Sequence, residues 1–99
     1  MDREEAVSIA RRYLKLVSQE LSYDRAYLFG SYAEGQQYPE SDVDIGIVVS
    51  YLDRDYLEIM KRLYRIRRHL DVRIEPHLFV LDHDRSGFSD HIIQKGIQL

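Results

Sequence analysis

Two long segments carry apolar residues at three- and four-residue spacing, a pattern that lines one face of a helix. The first covers residues 6–21, and the second covers about residues 53–70. A shorter segment at residues 89–95 has the same character, and Gly96 follows it as a helix-ending residue. The pattern therefore predicts three helices, of which the last is short.

Three other segments are typical of β-strands because they are rich in β-branched, aliphatic and aromatic residues. They lie at 25–29, 43–49 and 72–81, and the second is the strongest. In the third, Pro76 has no backbone N–H and must lie at a bulge or on an unpaired edge. A polar connection with a helical turn joins the first two strands, and a polar turn at 82–87 follows the third. The order predicts an α/β fold in which helices flank a small sheet.

Composition narrows the function classes. The chain has 99 residues, enough for one modest core, so we expect a single domain over residues 1–99. Its 17 acidic and 14 basic side chains give a net charge of -3, which argues against direct nucleic-acid binding. The absence of cysteine excludes disulfides, thiolate metal sites and thiol catalysis. No apolar run suits a secretion signal or a membrane span, so we expect a cytoplasmic protein with no membrane partner.

The polar connection begins with Gly30 and Ser31 and also contains Gly35. Glycine lets the backbone approach a ligand closely, while a serine hydroxyl and the free amides at a helix start can hold phosphate oxygens. The same residues also suit an ordinary turn in which Ser31 caps a helix. On their own they leave both interpretations open.

Asp42 and Asp44 stand two residues apart at the start of the second strand. Side chains at that spacing point to the same face, so the two carboxylates converge. Two like charges held together favour a bound cation, and oxygen ligands select Mg²⁺ or Mn²⁺. The alternative is a solubilising strand end, but Asp44 precedes an apolar run, where an unpaired charge is costly.

Together, Gly30-Ser31, ten intervening residues and Asp42-x-Asp44 resemble the signature of the DNA polymerase beta nucleotidyltransferase superfamily. The length and element order resemble its minimal nucleotidyltransferases, and this resemblance covers essentially the whole chain. It implies a nucleotidyltransferase fold, similar to the polymerase beta palm, with a small mixed sheet. It also implies that Gly30, Ser31 and Gly35 bind phosphates and that Asp42 and Asp44 are catalytic metal ligands.

The resemblance further implies a third carboxylate on a later strand, for which Asp71 and Glu75 are the candidates. They share a strand face with Arg73 and His77, so parity does not separate them. Asp71 can be a turn residue, whereas Glu75 lies inside an apolar strand, where an unpaired carboxylate is expensive. We favour Glu75, also because the group often carries an Ile-Glu-Pro segment here. The alternative is that Glu75 forms an ion pair with Arg73 or His77.

The reaction that the resemblance implies is Mg²⁺-dependent transfer of a nucleoside monophosphate, AMP from ATP, with pyrophosphate as leaving group. Two Mg²⁺ ions, for which Mn²⁺ could substitute, would be held by Asp42, Asp44 and Glu75. Minimal nucleotidyltransferases of this kind are often antitoxins, and the implied acceptor is a tyrosine on a helical HEPN ribonuclease toxin.

One residue departs from the family loop, which commonly has an arginine where this chain has Glu34. Glu34 either faces solvent or weakens triphosphate binding by charge repulsion. The second possibility sustains an alternative function, in which the chain is a catalytically weak or inactive nucleotide-binding module that neutralises a partner protein by direct binding.

Basic residues are concentrated in the segment 61–73, which carries six of them and a single acidic residue. Such a run is either a solvated helix face or a docking surface. We expect a HEPN-type toxin to dock through helix ends and this segment, as part of a homo- or hetero-oligomer.

Overall fold

The computed structural model describes residues 1–38, 40–81 and 88–99, without the side chains of residues 88 and 89. Four helices and four strands alternate in this part of the chain. In order they are α1 (Arg3–Val17), β1 (Arg25–Phe29), α2 (Ser31–Glu34), β2 (Val43–Val49), α3 (Tyr56–Arg67), β3 (Ile74–Val80), α4 (Phe88–Lys95) and β4 (Ile97–Gln98). The predicted elements are all present, except that the predicted turn at 82–87 lies outside the described residues.

The two long helices are shorter than the hydrophobic pattern predicts. Helix α1 begins after Asp2, whose side chain accepts a hydrogen bond from the Glu5 backbone N–H at 2.8 Å. Helix α3 begins at Tyr56 because Asp55 caps it, accepting from the Glu58 N–H at 3.3 Å. Such caps satisfy backbone donors that have no partner within the helix. Capping chemistry therefore sets the start of α3, and the apolar periodicity alone does not.

The four strands form one mixed sheet in the order β3-β2-β1-β4. Strand β1 is antiparallel to both neighbours, whereas β2 and β3 are parallel. The pairing of β2 with β3 continues without a bulge through Pro76, which lies opposite Ile45. Strand β3 is an edge of the described sheet, so the missing N–H of Pro76 is tolerated there. The α/β class and the small mixed sheet are confirmed, and Pro76 takes the edge position among its two predicted alternatives.

The two faces of the sheet are covered differently. Alternate residues of β2 and β3, such as Ile45, Ile47 and Leu78, pack with α1 and α3 into the main hydrophobic core. The opposite face holds a smaller cluster, in which Ile92 of α4 packs with Val48. By alternation Asp44, Glu75 and His77 belong to this second face, which α4 covers only in part. In the described residues no helix combines the length and apolar character that crossing a membrane requires.

Candidate active site

Three strand ends meet at one edge of the sheet and bring the predicted site residues together. Phe29, the last residue of β1, pairs with Asp44 near the start of β2, and Asp44 pairs with Glu75 near the start of β3. The loop that begins at Gly30 therefore leaves the sheet beside both carboxylates. The sequence pattern predicts that Asp44 and Glu75 lie on strands, and the register of β2 with β3 makes them direct neighbours.

Gly30 lies against the Asp44 side chain. Its backbone has φ 73° and ψ -148°, a conformation that is essentially confined to glycine. A Cβ built on Gly30 would collide with the Oδ2 atom of Asp44. Both the backbone conformation and the close approach of Asp44 thus require glycine here, and the approach of a ligand to Gly30 stays a prediction.

The loop folds back through the short helix α2. Ser31 is its first residue and is half-buried, and its carbonyl accepts from the N–H of Gly35 and from that of Gln36 at 2.9 Å. Gly35 ends the helix in the left-handed region with φ 72° and has open space around it. Gly35 is therefore required by its backbone angle and not by a close neighbour.

Arg3 of α1 braces this loop, a role that the sequence pattern did not predict. Its Nε donates to the carbonyl of Tyr32 at 3.0 Å, and its Nη2 donates to that of Ala33 at 2.7 Å. These carbonyls lie in the last turn of α2, where they have no partner within the helix. From the sequence alone, a basic residue in the first turn of an amphipathic helix is expected only to face solvent. The tertiary fold is what shows that Arg3 contacts the loop.

Asp42 and Asp44 differ in their surroundings. Asp42 directly precedes β2 and is exposed, with no hydrogen bond or ion pair to its carboxylate among the residues that the structure describes. The Asp44 side chain is 25% exposed, and its Oδ1 lies 3.1 Å from Nε2 of His77. One carboxylate thus faces solvent, and the other is held between Gly30 and an imidazole.

His77 is the second residue at this site that the sequence prediction missed, because no metal-ligand spacing marks it. Its ring packs edge-on against Phe29, with centroids 4.9 Å apart, and stacks near Phe79. The aromatic neighbours fix the imidazole on the face that carries Asp44. The signal in the sequence was the shared parity of Glu75 and His77 on one strand.

The Glu75 carboxylate is bound by two residues of α3. The Tyr64 hydroxyl donates to its Oε1 at 2.5 Å, and Nη1 of Arg67 lies 3.7 Å from its Oε2. The hydrogen bond to Glu75 raises the pKa of Tyr64, because a phenolate would face a carboxylate. The predicted alternative, an ion pair of Glu75 with Arg73 or His77, is wrong in its partners, since Arg73 binds Asp71 and His77 binds Asp44.

Asp71 is a turn residue bound to Arg73. Its two carboxylate oxygens accept from the Arg73 guanidinium at 3.0 and 2.7 Å, and Oδ1 also accepts from the Arg73 backbone N–H at 2.9 Å. These hydrogen bonds from Arg73 hold the pKa of Asp71 below its ordinary value. The carboxylate is therefore already neutralised by a bidentate partner.

No group of three or more His, Cys, Asp or Glu side chains within the described ranges is gathered closely enough to hold a metal ion. The reason is visible in the contacts of Glu75, which faces Tyr64 and Arg67 of α3. Asp44 and Glu75 are register neighbours whose carboxylates have different partners.

Comparison with known proteins agrees with this architecture. The family model described as "Polymerase beta, Nucleotidyltransferase" matches residues 13–99. A Methanocaldococcus jannaschii protein named "Putative protein adenylyltransferase MJ0141" is 30% identical over 99 residues, which cover 96% of this chain and 99% of that protein.

Two solved structures share the fold at low sequence identity. One is a "putative nucleotidyltransferase" from Sulfolobus solfataricus, with a TM-score of 0.67 and 18% identity over 97% of this chain and 80% of the other. The second is a toxin-antitoxin structure with AMP-PNP, with a TM-score of 0.63 and 22% identity over 90% of this chain and 70% of the other. These likenesses show the fold, including the mixed sheet.

Proposed function

Because this chain belongs to the polymerase beta nucleotidyltransferase family, we propose that it transfers AMP from ATP to a hydroxyl group of a partner protein. The observation that carries the proposal is the packing of Gly30 against Asp44, with Glu75 as the register neighbour of Asp44. The loop that we propose to bind phosphates thus begins beside acidic residues on one face of the sheet. The name of the 30% identical relative supports a protein as the acceptor.

Asp42, Asp44 and Glu75 are the residues that would hold Mg²⁺. Their carboxylate oxygens are the donors that Mg²⁺ prefers, and Asp42 has no competing partner in the described part of the chain. Glu75 fits this set less directly, since Tyr64 and Arg67 bind it. When bound, the ions supply charge neutralisation for the triphosphate and activate the acceptor oxygen.

The chain's own residues contribute positioning. Gly30 lets the loop pass directly against the Asp44 carboxylate, and Ser31 and Gly35 shape a loop whose hydroxyl and amides can hold phosphate oxygens. His77 fixes Oδ1 of Asp44, so the second oxygen of that carboxylate keeps a constant direction. Precise placement of reacting groups is the main source of catalysis in phosphoryl transfer.

The partner we propose is a helical toxin of the HEPN type, with a tyrosine as acceptor and this chain as its antitoxin. The shared fold with a toxin-antitoxin structure is consistent with this partner class. A docking face is offered by α3, where a groove of about 440 Å³ is lined by three cations, by Tyr64 and by the apolar side chains of Leu57 and Met60. Lys61, Arg65 and Arg68 are exposed and suit an acidic partner surface.

A second function is favoured by one observation, the binding of Glu75 to Tyr64 and Arg67. In this alternative the third carboxylate, that of Glu75, stays bound to the two α3 residues and holds no metal. The chain then neutralises its partner by binding it. Glu34 beside the phosphate loop supports the same alternative, since its charge opposes phosphate.

The test is label transfer from ATP labelled at the α-phosphate, with Mg²⁺ and a soluble extract of the source cells. We expect one protein to become labelled, and Asp42→Asn and Asp44→Asn each to lower the rate by at least about 100-fold. Asp53→Asn is the matched control, because Asp53 is an exposed aspartate outside the site. Absence of label with the unchanged chain, or equal labelling by Asp44→Asn, would refute the enzymatic proposal.

The binding-only alternative needs a different measurement, the neutralisation of the partner protein by the chain and by its variants. If the transfer of AMP is what inhibits the partner, the Asp44→Asn variant no longer neutralises it. If binding is sufficient, Asp44→Asn keeps neutralisation, and reversal of Arg65 and Arg68 to glutamate removes it. Reversal of Arg11 and Arg12 on α1 is the matched control, since both are exposed arginines on another helix.

A further inference from the structure

A small cavity lies between α4 and the loop that begins at Gly30. Its volume is about 180 Å³, and it is lined by Phe29, Gly30, Glu34, His91, Ile92 and Lys95. We name it the α4 cavity. Gly30 belongs both to this cavity and to the contact with Asp44, so the cavity adjoins the carboxylate site.

The α4 cavity has an apolar floor and ionisable walls. Phe29 and Ile92 supply the floor, and Ile92 is completely buried. His91 and Lys95 are four residues apart on α4, which places them on the same helix face. Glu34, the last residue of α2, supplies the opposing negative charge. The cavity thus lies between the loop proposed to hold phosphates and the ammonium group of Lys95 on α4.

Lys95 has no hydrogen bond or ion pair, with Glu34 or with any other residue, within the described ranges. The Lys95 ammonium is exposed, so it attracts an anion only at short range, where solvent and salt screen the charge least. Glu34 beside the same loop repels an anion. A cation in this position is therefore the group that allows the loop to accept a highly charged ligand.

We propose that the α4 cavity is a phosphate subsite in which Lys95 binds the terminal phosphates of a nucleoside triphosphate and offsets the charge of Glu34. This inference rests on the proposed function, since it assumes that Gly30 and Ser31 face the triphosphate. Lysine binds phosphate as a flexible point charge, which suits a side chain that reaches across from a neighbouring helix. The nucleoside and its first phosphate lie outside this contact.

The experiment is calorimetric titration of the full chain with AMP-PNP and, separately, with AMP, both with Mg²⁺. For Lys95→Met we expect AMP-PNP affinity about tenfold lower, the effect of losing one charge-assisted contact, and AMP affinity within about twofold of the unchanged chain. Glu34→Gln should strengthen AMP-PNP binding by about threefold, since it removes a like charge. Lys15→Met in the last turn of α1 is the matched control, since Lys15 is an exposed lysine on another helix, and it should change neither affinity.

The outcomes separate this inference from the proposed function. If the unchanged chain binds AMP-PNP and Lys95→Met binds it equally well, the subsite is refuted while the proposed function stands. If Lys95→Met weakens AMP and AMP-PNP equally, Lys95 does not bind the terminal phosphates. If the unchanged chain binds neither nucleotide, both proposals fail. Circular dichroism of Lys95→Met should match that of the unchanged chain, because Lys95 is exposed at the end of α4.

Discussion

At the scale of single residues, the site depends on one contact between backbone and carboxylate. Gly30 turns the chain out of β1 in a conformation that side chains rarely adopt, and the same turn presses its α-carbon against Asp44. Gly35, five residues later, has a positive φ but no close neighbour. The two glycines therefore differ in two respects, since Gly30 has both the more restricted backbone conformation and the close neighbour.

We predict that Gly30→Ala destabilises the protein by about 3 kcal/mol, since it combines backbone strain with a collision at Asp44. Gly35→Ala should cost only about 1 kcal/mol, because strain acts there alone. The measurement is the free energy of unfolding from urea denaturation. Equal losses in the two variants would show that neither the Asp44 contact nor the more restricted backbone of Gly30 adds to the loss.

A second prediction at this scale separates the two candidates for the third carboxylate. Asp71→Asn should keep the rate of label transfer within about twofold of that of the unchanged chain, because Arg73 already occupies both carboxylate oxygens. Glu75→Gln should lower that rate by at least about 100-fold if Glu75 is a metal ligand. The reverse order of effects would transfer the role to Asp71.

At the scale of elements, the strand pattern predicted β1 and β2 at their observed bounds, because aromatic and aliphatic residues mark β1 and a β-branched run marks β2. Strand β4 was not predicted, since two residues are too few to show a period. The side-chain direction of Glu75 was not predictable either. Parity places Glu75 on the face of Asp44, but Tyr64 and Arg67 reach it from α3, and such contacts between elements leave no local pattern.

The contact between α3 and Glu75 leads to a prediction about Mg²⁺. In Tyr64→Phe the carboxylate loses a hydrogen bond that competes with metal binding, so half-maximal transfer should need about three- to tenfold less Mg²⁺. The measurement is the transfer rate as a function of Mg²⁺ concentration. Tyr51→Phe is the matched control, since Tyr51 is 71% exposed.

An opposite result for Tyr64→Phe would also be informative. If the variant needs more Mg²⁺ than the unchanged chain, Tyr64 holds Glu75 in a productive position and the idea of competition is wrong. An unchanged requirement would mean that Glu75 does not bind the metal.

At the scale of the whole molecule, the residues that form the main core and the proposed site residues lie on opposite faces of the sheet. One face is packed by α1 and α3 into the main core, and the other carries the carboxylates beside α4. Across the core, the Tyr13 hydroxyl of α1 donates to the Leu63 carbonyl of α3 at 2.7 Å, and both side chains are buried. This bond joins the two helices that support β2 and β3 from behind. The position of Asp44 and Glu75 thus depends on a helix pair that packs against the opposite face of the sheet.

The bond between Tyr13 and Leu63 should therefore appear in the stability of the whole fold and in its pH dependence. Tyr13→Phe should lower the free energy of unfolding at pH 7 by about 1–2 kcal/mol, because the buried Leu63 carbonyl loses its tyrosine donor.

Burial raises the pKa of Tyr13, so the folded state keeps its proton where the unfolded chain ionises, at about pH 10. A raised pKa gives stability that is complete below the unfolded value and is lost as the pH rises above it. Urea denaturation should thus show the two proteins converging above about pH 10, while Tyr38→Phe, at a side chain that is 75% exposed, follows the unchanged chain throughout. A difference that stays constant with pH would show that the Tyr13 hydroxyl ionises as readily in the folded protein as in the unfolded chain.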